Sequence, residues 1–581
     1  MSKTAGLSGA LKGASEGLRP VAVTLGAVLV TALFAGAMPW LTGADPALTV
    51  LRAREAERDA DPAALEAIRT SLGLPENPLA GAWLWLSNAA RGDFGTSWVS
   101  GAEVGPQVGS ALLVSLNLAG MAAVVTLAFA MALVAPRILA VGRGRSASAP
   151  VLRGTSAVLA ALPEFVLAVL LAYLFAVRLG WLPATGWREP RDMVLPVAAI
   201  AIGSVGVLSR VLMTAVVAVA GEDWVRTWRA NGARGGRISA EVARRAVAVA
   251  LPQVMLLLAG IVGASVVVED TYAIPGLGRM SLDAALAQDI PVVQASMALL
   301  VVLGVVVGTV GNLLHRWLMA PALGAGQGTA LVRHSRTRRL GVAWYVCLGA
   351  LVVLIAGGLL RSSAVDPLAR HLPPSWAHPL GTDHVGRDVW ARVGEGSLLT
   401  IGSALALSAI CLALGLLIGL LSKRGSAGVT DILNAVPSVF LGVVLAAVLG
   451  AGLLSAWIAI CAVGWIPLAV HTRTLAAEAR AAGFHQAALT SGGSSWWIMR
   501  KHLLPSVLGP VAGHATVRIP HLALALTGLG FLGLGAGHDS PEWGKLLADS
   551  VVHMEKAPWA VAAPAAGLVL LGLVANLARR D

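Results

Sequence analysis

The side chains in this sequence that could do chemistry are few, and their spacing limits what that chemistry is. His371, His378, Asp383, His384 and Asp388 hold metal-ligating atoms within one short stretch, but their spacing matches no diagnostic ligand pattern and no metal is expected. The segment GTDHVGRD reads instead as a capped amphipathic stretch leading into an apolar run. Gly544 and Lys545 are followed by Leu546, with Asp539 where a phosphate-binding loop needs its first glycine, so no nucleotide site of that kind is expected. No HExxH metal motif is present, no catalytic residue is expected, and a membrane-embedded enzyme is the weakest of the functional classes. Glu164 remains: it falls about seven residues past the start of an apolar run, where a carboxylate is costly enough to suggest a pathway role. It either lines a substrate cavity or takes a blander place, snorkelling to the nearby membrane face or pairing with a basic residue such as Arg210.

The elements that carry these residues are set by composition. With 56% hydrophobic and 13% charged residues and a mean hydropathy of +0.76, the chain suits a bilayer and not a water-facing globule. Apolar runs of roughly 17 to 25 residues can be drawn at 21–40, 111–135, 157–177, 195–220, 248–268 and 292–314. A second set lies at 341–360, 398–421, 432–449, 454–470, 507–529 and 561–577. The expected fold class is an all-α polytopic membrane protein with about 12 transmembrane helices. Cys347, Cys411 and Cys461 all fall inside these runs and act as small hydrophobes.

Lysine and arginine give the orientation. Lys3, Lys12, Arg19, Arg137, Arg143, Arg145, Arg153, Arg333, Arg336, Arg338, Arg339, Lys423, Arg424, Arg500, Lys501, Arg579 and Arg580 all fall on one side of that topology. The opposite loops mix their signs, as where Glu55, Glu57, Asp59, Asp61 and Glu66 alternate with Arg52, Arg54, Arg58 and Arg69. The expected location is the cytoplasmic membrane, multi-pass, with both termini cytosolic and the first apolar run kept as a signal anchor. The net charge of +12 is then a topology signal spread over short loops, and no nucleic-acid partner is expected.

An internal repeat is written into the polar loops. After the fourth run of each half comes RTWRANGARGGRISAEVARRAVAVALP at 226–252 and QAALTSGGSSWWIMRKHLLP at 486–505: a glycine six positions in, a basic stretch, then Leu-Pro. Leu162-Pro163-Glu164-Phe165 recurs as Val436-Pro437-Ser438-Val439-Phe440, and Asn312-Leu313 as Asn576-Leu577. Halves with an even number of spans keep one orientation and form a parallel repeat. Gln486, Ala487 and Ala488 suit a short helix, Gly492 a turn at positive φ, and Pro505 the first turn of the next helix. Trp496 and Trp497, with Trp224 and Trp228 around the first copy, are exposed aromatics that anchor in a partner's groove or sit at the lipid interface.

These loops resemble the E-A-A-three-residues-G signature of permease subunits of ATP-binding-cassette (ABC) importers. The whole chain, from about 20 to 580, is similar to two permeases of the dipeptide/oligopeptide/nickel family fused head to tail. In the first half the likeness rests on Gly92-Asp93-Phe94-Gly95-Thr96-Ser97, Ile274-Pro275-Gly276-Leu277-Gly278 and Asp289-Ile290-Pro291; in the second on HPLGTDHVGRD, Phe531-Leu532-Gly533-Leu534-Gly535 and Pro541-Glu542-Trp543-Gly544. The first loop departs from the signature with bulky Trp228, the second with Gln486 for glutamate.

The resemblance implies two six-helix type I importer halves: a first half at 1–320 with a large external loop at 41–107, a cytosolic linker at 321–340, and a second half at 341–581. It implies two ABC ATPase domains gripping the coupling loops at Arg226, Thr227, Trp228 and Gly232 and at Gln486, Ala487, Ala488, Gly492, His502 and Pro505. ATP-Mg would be bound by that partner ATPase, with no cofactor in this chain. An extracytoplasmic substrate-binding protein, a peptide-like substrate and membrane lipid complete the implied partners, and transport is by alternating access. The competing reading is an ion-coupled secondary transporter with 6+6 helices, although such carriers bury several ionisable groups and here Glu164 is almost alone.

Overall fold

Apolar runs long enough for a bilayer become helices wherever the chain is described. The computed structural model describes residues 32–41, 61–72, 77–145, 150–323, 341–421 and 438–578, together with residues 26, 29, 47, 48, 50 and 51. Among the described residues the regular elements are all helical; β character is confined to isolated bridges, Thr96 with Glu103 and Thr382 with Asp388. Seven described helices are long and apolar enough to cross a membrane: Val104–Gly142, Pro190–Ala220, Ile290–Val307, Val342–Leu359, Val389–Leu421, Leu453–Ala481 and Pro558–Ala578. Long helices at Gly235–Thr271 and Leu504–Phe531 and shorter apolar ones at Ala32–Leu41 and Ser438–Leu449 fall at other expected spans. The protein is thus an all-α polytopic membrane protein. From residue 324 onward, the linker expected at 321–340 lies outside the described residues, as do Val436 and Pro437 of the repeated motif.

Two expected spans differ in detail. The run at 157–177 is not one helix but Pro150–Leu159, then Glu164–Leu171, then a π-wound segment Ala172–Arg178. Pro163 is the cause: it stands at φ −68° and ψ 137° as the residue before the second helix, and the residue preceding a proline is pushed out of helical conformation. The run at 454–470 becomes Leu453–Gly464 and Ile466–Ala481, joined at Trp465 just ahead of Pro467.

The chain forms two units, each drawing on both halves of the sequence: Met1–Ser110, Met280–Val306 and Ala404–Leu522 in one, and Ala111–Arg279, Val307–Ser403 and Ala523–Asp581 in the other. In the first, Cys411, Leu468, Leu503, Val507, Val511 and Ala515 make a buried core, and Arg480 donates to the Leu420 carbonyl at 2.9 Å. In the second, Leu118, Ala122, Ala168, Ile200, Ile261, Val268 and Tyr272 pack together. A further cluster there joins Val134, Ile138, Leu212, Val216, Ile238 and Val242. Close helix approach in a bilayer depends on small residues. A Cβ at Gly206 would lie 2.2 Å from the Ala160 nitrogen, and one at Gly394 2.5 Å from the Gly358 carbonyl carbon.

Candidate functional site

The two repeated loops share one backbone design. Each opens with an eight-residue helix, Asp223–Ala230 in the first and Gly483–Thr490 in the second. Each helix ends in the same ladder. Amides of Asn231, Gly232 and Ala233 donate to carbonyls of Thr227, Arg229 and Trp228 at 3.0, 3.1 and 2.9 Å; amides of Ser491, Gly492 and Gly493 donate to Ala487, Leu489 and Ala488 at 3.0, 3.1 and 3.0 Å. The turn residue has positive φ in both, 73° at Gly232 and 79° at Gly492, the conformation that closes a helix and that glycine alone adopts without strain. Helices restart at Gly235 and Ser495.

On that shared backbone the side chains differ. Arg226, Thr227, Gln486, Ala487, Gly492 and Pro505 are exposed, while Trp228, Ala488 and His502 are half-buried. The expectation of exposed aromatics holds for Trp496 and Trp497, at 73% and 49% exposure, but not for Trp224 and Trp228. Those two are half-buried and pack edge to face at 5.2 Å, under the guanidinium groups of Arg245 and Arg237. Charges bind the first loop to itself: Arg245 with Glu222 at 3.1 Å and Glu241 at 3.0 Å, and Arg226 with Asp223. Trp497 meets His502 edge to face at 5.0 Å.

Pro505 does not open a new helix. The helical run is continuous from Ser495, loosens to a π turn over Met499–Leu503, and passes through Pro505. A proline lacks its amide donor and crowds the carbonyl four residues back, and a π turn accommodates both. Likewise the Gly235–Thr271 helix runs through Pro252.

Beyond these loops the structure contains a second repeated device that the sequence reading missed. The Gly235–Thr271 helix ends in a turn at Ala273, φ 54°, and the Leu504–Phe531 helix in one at Gly533, φ 76°. Amides of Ile274 and Leu534 close the turns on Glu269 and Leu529 carbonyls at 2.8 and 2.9 Å. A short helix follows each turn, Leu277–Leu286 and Trp543–Val551. Its first amide is held by a hydroxyl from a long helix: Leu277 N–H to Ser115 at 2.8 Å, Trp543 N–H to Thr400 at 3.1 Å. Two residues on, Arg279 N–H reaches the Glu269 carboxylate and Lys545 N–H the Glu542 carboxylate, both at 3.1 Å. Ser115 also donates to Glu269 at 2.6 Å and Thr400 to Glu542 at 3.4 Å. Glu269 is 0% and Glu542 1% exposed. Burial lifts the Glu542 carboxyl to about 7, against the opposing pull of the Gly544 and Lys545 amides and the threonine hydroxyls.

Glu164 is the first residue of the Glu164–Leu171 helix and half-buried; its neighbour Phe165 packs on Phe531 at 5.6 Å. No ion pair joins Glu164 to a described residue, and Arg210 instead donates to Asn576 at 2.5 Å. In the His378 segment, Asp383 caps the Val385 and Arg387 amides at 3.0 and 2.8 Å. Asp388 caps Ala391 at 3.1 Å and takes hydrogen bonds from His378 at 2.9 Å and Arg361 at 3.0 Å. Burial raises the Asp388 carboxyl, but those hydrogen bonds outweigh it and leave it below the ordinary value. This is the capped segment expected from the sequence.

Helical halves that repeat a polar helix-turn-helix loop and a pinned elbow define a polytopic membrane protein built by duplication. The family described as "Binding-protein-dependent transport system inner membrane component" matches twice, at residues 132–320 and 402–580. The chain belongs to that family and is a permease component of binding-protein-dependent ABC transport. Among curated relatives it is 29% identical over 309 residues to the metal-staphylopine import system permease protein CntB of Staphylococcus aureus, using 53% of this chain and 98% of the relative. It is 39% identical over 223 residues to a probable D,D-dipeptide transport system permease protein, DdpC, of Escherichia coli, 37% of this chain and 74% of the relative. It is 30% identical over 311 residues to a putative peptide transport system permease protein of Brucella abortus, 51% and 95%. Each of the first and third relatives is covered almost end to end by about half of this chain.

Proposed function

We propose that this chain carries both membrane subunits of an importer for peptide-like solutes, with halves at 1–320 and 341–581 joined by a cytosolic linker at 321–340, and that two ABC ATPase domains drive it. The loops at 223–234 and 483–494 dock those ATPases, which bind the ATP-Mg this chain does not. Both termini and both loops are cytosolic; the loops at 42–106, 269–291, 361–392 and 535–558 face outward to a substrate-binding protein. The observation that carries the reading is the same three-bond ladder closing both loop helices at a positive-φ glycine: two copies of one shape call for two copies of one partner. Peptide-like substrate is supported by two of the relatives, which are a probable D,D-dipeptide and a putative peptide transport permease.

The test is co-expression with the ATPase subunits of the same transport system, purification through a tag on this chain, and measurement of retained ATPase. Two ATPase domains per chain are expected, with most of that retention lost in Gly492→Asp, since a side chain at φ 79° strains the turn. A well-folded chain that retains no ATPase would overturn the reading. Glu164→Ala is expected to change uptake without loss of folding; unchanged uptake removes Glu164 from the pathway.

A further inference from the structure

Beside the second elbow is a cavity of about 200 Å³ whose charged lining is Asp383, Arg387, Arg392, Asp539, Lys545 and Asp549. Two of its cations are matched: Arg387 with Asp539 at 3.4 Å and Lys545 with Asp549 at 2.6 Å. The third is not. Arg392, in the first turn of the Val389–Leu421 helix, is 8% exposed. One of its terminal nitrogens donates to the carbonyls of Asp539 and Ser540, each at 3.3 Å, and among the described residues its buried Nε has no hydrogen-bond partner and no carboxylate lies in ion-pair contact with it. A buried guanidinium is costly unless an anion pairs with it. Across the lining, Asp383 spends one carboxylate oxygen on the Val385 and Arg387 amides, and its other oxygen takes no hydrogen bond from a described residue. The cavity therefore presents one buried cation without a contact ion pair among the described residues and one half-used anion, Asp383, whose charge acts on it from across the lining.

We propose that this cavity binds a small zwitterion, its anionic group on Arg392 and its ammonium group on Asp383. At about 200 Å³ it is smaller than the roughly 300–1,000 Å³ of drug-sized sites, which suits a free amino acid or a two-residue peptide and excludes a long peptide held along its length. The inference rests on the importer reading and names a substrate class for it: the cavity is a holding site for peptide-like zwitterions on the face proposed to meet the binding protein. A phospholipid headgroup of phosphate and ammonium offers the same chemistry from another source.

The experiment is equilibrium dialysis of labelled L-alanyl-L-alanine against the purified full chain in phosphatidylcholine nanodiscs, where no primary ammonium headgroup competes. Saturable binding of one dipeptide per chain is expected. It weakens at least tenfold in Arg392→Gln and recovers in part in Arg392→Lys. The dipeptide methyl ester, lacking the carboxylate, and the N-acetyl dipeptide, lacking the ammonium, bind weakly, and Asp383→Asn weakens the free dipeptide but not its N-acetyl form. Equal binding by Arg392→Gln overturns the proposal, as does absence of saturable binding. Loss of dipeptide binding in phosphatidylethanolamine nanodiscs, with one such lipid retained in native mass spectra of wild type but not of Arg392→Gln, would assign the cavity to the headgroup and overturn it too. Retention of ATPase is measured on the same preparations. A chain that holds its ATPases but no dipeptide sinks this inference alone, and one that binds dipeptide but holds no ATPase sinks the importer reading alone.

Discussion

At the first elbow the buried carboxylate comes from Glu269, near the end of a long helix; at the second it comes from Glu542, the residue heading the short helix. The turns align Glu269 with Leu529, and the starts of the short helices align Gly276 with Glu542, so the acid has moved from the end of the long helix to the head of the short one while its oxygens still meet the third amide of the short helix. Glycine makes room each time: a Cβ at Gly276 would lie 2.4 Å from Glu269, and one at Gly530 2.1 Å from Glu542. The loops differ in the same manner, with one ladder clothed in charge at 223–234 and in exposed apolar groups around 483–497. What the two halves hold in common is the location of hydrogen-bonding atoms, and the residues supplying them are free to exchange.

The largest expected effect tests whether the second elbow depends on a neutral acid. A carboxyl kept neutral in the fold but free to ionise in the unfolded chain costs stability as pH rises. For Glu542 the window runs from 4.5 to about 7, and the loss across it is on the order of 3 kcal/mol. Below pH 4.5 both states are protonated and the penalty is absent. Glu542→Gln keeps one of the two acceptor oxygens and removes the titration, so the fall in Tm expected of wild type between pH 5 and 7 should flatten. An unchanged slope would mean the acid at the second elbow is not what titrates.

The loops come next. Removing exposed Trp496 and Trp497 together should weaken ATPase retention roughly 30-fold, the loss expected of a contact worth about 2 kcal/mol, with little change in Tm. Trp224→Ala should do the reverse. Its ring lies 4.6 Å beneath Arg245 and its indole N–H bonds Glu222 at 2.6 Å, so about 1–2 kcal/mol of loop stability goes while the partner surface stays. Equal effects on retention would erase the distinction between an open apolar loop and a self-bound charged one.

The sequence made the spans, the duplication and the two loop glycines legible, because apolar length and a repeated glycine register are local signals. Pro163 shows where local reading stopped: hydropathy runs straight through a residue that breaks the helix. Trp224 and Trp228 looked exposed because the arginines that cover them, Arg245 and Arg237, sit in the following helix. The elbows were hidden for a stronger reason. Ser115 and Glu269, or Thr400 and Glu542, are far apart along the chain, and because the acid moved between halves, no in-register comparison lines the two glutamates up. Nothing in the local sequence marks Arg392; burial gives it meaning.

The smallest effect is the most direct check on what charge contributes to the first loop. Arg226 and Asp223 form an ion pair with side chains 76% and 87% exposed, and pairs in that setting contribute less than about 1 kcal/mol, less still in salt. Arg226→Ala should leave Tm nearly unchanged. If the first loop meets its ATPase through charge, retention should fall modestly in low salt, with the difference from wild type closing as salt is raised. Trp496→Ala, acting through apolar contact, should keep its deficit at every salt concentration. A salt-independent loss in Arg226→Ala would place a packed contact at Arg226 and make the two loops more alike in use than their side chains suggest.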